Sequence, residues 1–133
     1  MASALYPLGK QAILAGDIHF DTDTIKIVPL NTTTDYTYST AHDFLNDVTT
    51  YTGATAQTLS NKTIALGVFD NTATVTFTAL AIDGTKDVEA FLVYRDSGVA
   101  ATSEVIAYLE VTAITPNGTD LVVTVHASGI FAI

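Results

Sequence analysis

There is no cysteine among the 133 residues, so neither a disulfide framework nor a thiolate metal site is open to this chain, and its redox compartment stays undetermined. Cations are scarce: 5 Lys and Arg stand against 14 Asp and Glu, a formal charge of -9. Lys10, Lys26, Lys62, Lys86 and Arg95 are scattered rather than clustered, which argues against direct nucleic-acid contact. Long apolar runs are missing as well, and none approaches the roughly 20 residues of a membrane helix. The first ten residues lack a charged leader ahead of an apolar core, so no secretion signal is expected. No Gly-x-Ser-x-Gly elbow and no Gly-rich phosphate loop with Lys occurs, which favours a structural or binding protein over an enzyme.

What the chain does have is apolar and uncharged polar matter. Hydrophobic residues make up 48% and charged ones only 14%, so the chain is neither disordered nor coated with charge. Roughly one residue in six is Thr, whose branched side chain suits a pleated surface. One mainly β domain over residues 1–133 is expected, an antiparallel sandwich or jelly-roll with two short helices in the N-terminal half.

The centre of that domain is placed at Asp87 to Ile114. Two apolar runs joined by a polar connection containing Gly98 predict neighbouring antiparallel strands. Val88, Ala90, Leu92 and Tyr94 share one face, and Glu89, Phe91, Val93 and Arg95 the other. Both faces carry apolar groups, which places the pair inside a sheet. Around it, Asp17 to Phe20, Thr24 to Leu30, Ala54 to Leu59, Thr63 to Phe69 and Leu121 to Val125 read as strands. Thr72 to Ala79 alternates throughout, with Ala73, Val75, Phe77 and Ala79 facing inward. Pro29 belongs at an edge or bulge, and Pro116 with Gly118 predicts a turn. Ser3 to Gly16 is the best helix, with an extended arm over 1–16 as the alternative. Pro7 is tolerated in its first turn, Gly16 closes it, and Gly9 makes it dependent on docking. A second short helix is expected after a Thr40 to Asp43 capping box, burying Phe44, Leu45 and Val48.

Chemistry is sparse. His19, His42 and His126 lack metal-ligand spacing, and structural roles are expected for them. Asp17, Asp21 and Asp23 have the hard oxygens that Ca²⁺ prefers but lack the EF-hand offsets, so they read as turn formers, as does Asp70-Asn71. Asn31, Asn61 and Asn117 match the glycosylation pattern, as chance allows in so Thr-rich a chain. No catalytic residue, metal or cofactor is assigned.

Several blocks carry a resemblance: Ala4-Leu-Tyr-Pro-Leu-Gly-Lys10 with Gly16-Asp-Ile18, Asp23-Thr-Ile-Lys-Ile-Val28, His42-Asp-Phe-Leu-Asn-Asp47, Leu92-Val-Tyr-Arg-Asp-Ser-Gly98, and Ile114-Thr-Pro-Asn-Gly-Thr-Asp120. In that order, over nearly the whole chain, it resembles a family of small virion structural proteins of tailed bacteriophages. Pro7 departs from it, standing where a charged residue would be expected. The resemblance implies a non-enzymatic particle component assembled in the host cytoplasm. The leading expectation is a capsid decoration or cement protein on the outer capsid surface, a homotrimer that binds the major capsid protein and bridges its neighbours, with no nucleic-acid or membrane partner. The partner interface is assigned to Leu5, Tyr6, Leu8, Tyr36, Tyr38, Ile130, Phe131 and Ile133. The alternative is a tail- or fibre-associated module that binds host-surface carbohydrate on exposed Tyr36, Tyr38 or Tyr51.

Overall fold

The computed structural model describes residues 2–125 and 129–132. In chain order its elements are β1 (Ala4–Leu5), α1 (Pro7–Ala15), β2 (Ile25–Leu30), β3 (Gln57–Thr58), β4 (Lys62–Ala65), β5 (Val68–Asn71), β6 (Val75–Phe77), β7 (Val88–Arg95), β8 (Val105–Ile114), β9 (Leu121–Val123) and β10 (Phe131–Ala132). The chain is mainly β and its sheets are antiparallel. They are a five-stranded sheet in the order β1-β8-β7-β2-β3, a three-stranded sheet β10-β5-β4, and the pair β6-β9.

β7 and β8 lie side by side within the large sheet, as their two-sided apolar pattern predicts. Alternation along the strands feeds two cores. Ile25, Ile27, Phe91 and Val93 face one cluster; Val28, Leu30, Ala90, Leu92 and Tyr94 face the other. A bulge in β8 puts Ala107 opposite Val93 and Val105 opposite Tyr94, so the extra residue Ile106 turns toward the first cluster with Ala107. The smaller sheets pack on that face: Phe69 of β5 and Val75 and Phe77 of β6 join the first cluster, and the Phe77 and Phe91 rings stack with centroids 6.0 Å apart.

Pro29 pairs with Phe91, and its carbonyl accepts the Tyr51 N–H at 2.9 Å. In a strand, a residue's N–H and C=O point to the same side, so the missing proline N–H faces away from β7, beyond the end of two-residue β3. The expected edge position is therefore met within an inner strand.

The N-terminal helix is shorter than Ser3 to Gly16. Tyr6 is extended (φ -75°, ψ 137°) because the residue before proline is steered out of the helical region, so Ala4–Leu5 pair with β8 instead. Pro7 begins the helix and Gly16, at φ 82°, closes it. Gly9 presses directly on β8: a Cβ there would lie 2.4 Å from the Val105 carbonyl oxygen. The glycine that weakens the helix is what lets it dock.

The expected second helix is a single 3-10 turn, Leu45–Asp47. The Asp47 carboxylate, not the exposed Thr40, accepts the free N–H groups of Asp43 and Phe44, at 2.9 and 3.1 Å. The Leu45 N–H donates to the Ser103 carbonyl at 2.9 Å, so a tie to the β7–β8 connection takes the place of a second turn. Several expected strands change too. Asp17 to Phe20 enters a turn in which the N–H groups of Thr22 and Asp23 bind the His19 carbonyl, and Ile18 and Phe20 point inward. Ala54 to Leu59 pairs only at Gln57–Thr58. Thr72 to Ala79 contracts to Val75–Phe77, because Ala79 turns left-handed (φ 47°) and outward to donate its N–H to Asp120.

Candidate interaction surface

Thr63 to Phe69, read above as one strand, is a hairpin. Ala65 pairs with Val68 across a two-residue turn in which Leu66 and Gly67 have φ of 51° and 78°. A turn with two left-handed residues matches strand twist, and Asn-Gly is its usual occupant. Leucine in the left-handed region costs about 1–2 kcal/mol. Its side chain gains nothing back inside the chain, for Leu66 is 104% exposed and Ile64 next to it 46%. β4 has no strand on its outer side among the described residues, so the hairpin presents an open edge beneath an apolar tip. The Leu66-Gly67 step was the available signal in the sequence, masked by the apolar residues on both sides.

A second apolar feature lies where the two ends of the chain meet. Leu5, Leu109, Ile130 and Phe131 line a cleft of about 280 Å³, which adjoins another of about 260 Å³ containing Val111 and Val123. β10 reaches it by pairing along β5, and the Phe131 ring stacks on Phe69 at 4.6 Å. The crossing needs Gly129, at φ 98°, where a Cβ would lie 2.4 Å from Val68 Cγ1. Three residues assigned to the partner interface, Leu5, Ile130 and Phe131, are thus brought together. Leu8 is half-buried on α1, apart from this cleft, and Ile133 lies outside the described residues.

The tyrosines go elsewhere. Tyr6 is 0% exposed and Tyr36 5%, so neither offers a surface to a partner. Their hydroxyls are 2.7 Å apart, and the Tyr36 hydroxyl also meets His42 Nδ1 at 2.8 Å. Tyr38, half-buried, packs its ring against Tyr6 and Tyr108 and donates to the Leu5 carbonyl at 3.1 Å. Burial pushes the phenol of Tyr6 far above its ordinary range and that of Tyr94 up to about 12, so both stay neutral. Tyr51, 1% exposed, accepts the Asp83 N–H and donates to the Lys86 carbonyl. The sugar-stacking reading needed exposed rings, and Tyr36 and Tyr51 lie inside because each hydroxyl finds its partner there.

The remaining candidates are structural. The Asp23 carboxylate accepts the His19 N–H at 2.8 Å and closes its own turn, while the Lys62 ammonium donates to the Asp23 carbonyl. Among the described residues no group of three His or acidic side chains gathers as a metal site. His126 lies outside them. Asn31 is buried, donating to the Asp87 carbonyl and to Glu89, which withdraws it as a glycan acceptor. Lys26 binds Asp96, Lys86 binds Asp35 and Asp83, and Arg95 binds Glu104, so most of the few cations are spent on internal acids. No helix among the described residues is long and apolar enough to cross a membrane. Searches with the sequence matched no protein family model and no curated protein.

Proposed function

We propose that this chain is a non-enzymatic structural component of a tailed-phage virion, a capsid decoration protein that binds the outer shell as a homotrimer and bridges neighbouring subunits of the major capsid protein. The observation that carries this reading is Leu66: a fully exposed leucine held in a left-handed turn at the tip of an open-edged hairpin. An isolated chain gains nothing from that arrangement, whereas a partner surface that buries the tip recovers roughly 1.5–3 kcal/mol per copy. Repeated over many copies, such a contact reinforces a shell without any single strong bond. The cleft between the chain ends supplies a second apolar contact, suited to a neighbouring copy. The small sheets over one face of the large one are read as a sandwich-like body that holds both features rigidly. Net acidity suits the outside of a particle better than contact with packaged DNA.

The test is retention of the purified protein on expanded, undecorated capsids. Co-sedimentation at saturating stoichiometry, lost in Leu66→Ser, is the expected result. Absence from capsids together with labelling of tails would reject the capsid reading.

A further inference from the structure

We propose that Asn117 is a site of spontaneous deamidation held shut by the fold, and that its conversion unclamps β9 from the segment following β6. Asn117-Gly118 is the only Asn-Gly step in the chain. Glycine has no side chain to shield its amide nitrogen, so that nitrogen can attack the preceding side-chain carbonyl. In this reaction the Gly118 nitrogen bonds to Asn117 Cγ and gives up its proton. The Cγ–Nδ2 bond breaks, ammonia leaves, and a five-membered succinimide remains. Water then opens the ring at one of its two carbonyls, yielding either an aspartate or an isoaspartate whose backbone is longer by one methylene. No oxidant or cofactor enters, and both residues are open to water.

The structure restrains one reactant and primes the other. Asn117 Oδ1 accepts the Thr119 N–H at 3.1 Å and the Thr119 hydroxyl at 2.5 Å, donors that stabilise the negative charge arising on that oxygen during attack. The Gly118 N–H, however, is committed to the Leu80 carbonyl at 2.9 Å and must leave it before its nitrogen can react. Leu80 returns a bond to the Thr119 carbonyl at 3.1 Å, and Ala79 donates to Asp120 at 2.8 Å. These bonds join the ends of β6 and β9, so opening the clamp is the gate. An added methylene would put the Leu80 and Gly118 groups out of register and keep it open.

The test follows the amide-to-acid mass change and isoaspartate content of the peptide containing Asn117, during incubation of the intact chain at mildly alkaline pH with and without denaturing urea. The folded chain is expected to react about tenfold or more slowly than the unfolded one, with the Gly118 amide protected from hydrogen exchange to a similar degree. Asn117→Ser should abolish the change at this position in both conditions. Equal rates with and without urea, no reaction in urea, or a Gly118 amide exchanging as freely as an unstructured one would each overturn the proposal.

Discussion

The Tyr6 hydroxyl has the Tyr36 hydroxyl 2.7 Å away as its hydrogen-bond partner, and Tyr36 in turn reaches His42 at 2.8 Å. Removing the two phenol oxygens is therefore unequal. Tyr6→Phe leaves Tyr36 bonded to His42 and should cost on the order of 1 kcal/mol, the net worth of one hydrogen bond. Tyr36→Phe strands a fully buried Tyr6 hydroxyl and should cost about 1–3 kcal/mol. Urea unfolding of both variants measures the difference; equal losses would mean that Tyr6 finds another acceptor.

At Gly9, two effects of alanine oppose each other. Helix propensity favours Ala by about 1 kcal/mol, but its Cβ would meet backbone atoms of β8 at 2.4 and 2.8 Å, which cannot swing aside. Gly9→Ala should therefore destabilise, by roughly 1–3 kcal/mol as overpacked sites do. A raised melting temperature would show that α1 does not sit this close.

Leu66→Asn separates folding from docking. Asparagine tolerates the left-handed turn, so the variant should gain up to about 1 kcal/mol in stability while losing capsid retention. Thermal unfolding and co-sedimentation on one preparation read both. Loss of stability would remove the strain argument, and undiminished binding would remove Leu66 from the interface.

Acid should weaken the fold through Asp47 and Asp96. Two backbone N–H groups, from Asp43 and Phe44, hold the Asp47 carboxyl below its ordinary range, and the Lys26 ammonium does the same for Asp96. A carboxyl whose pKa is lower in the folded than in the unfolded state contributes fully above the unfolded value, near 3.9, and loses that contribution as pH falls through the folded one. Asp47→Asn and Asp96→Asn should each flatten the acid side of a stability-against-pH curve. An unchanged slope in both would show that these carboxylates titrate alike in the two states.

Much of the architecture could be read from residue order. A run apolar on both faces had to lie within a sheet, so β7 and β8 were legible, as were the helix end at Gly16 and the turn around Pro116 to Asp120. These features depend on local periodicity and on backbone angles that only certain residues accept. The tertiary structure alone decided that Leu45 would be captured by Ser103 rather than continue a helix, that Ala79 would leave its strand for Asp120, and that Tyr36 would face inward while Leu66 faced out. A tyrosine reads the same whether its hydroxyl meets water or another phenol, and an apolar pattern says which side chains agree with one another but not what covers them. Burial is settled by segments distant in the chain, and the hairpin tip is exposed because those segments pack elsewhere.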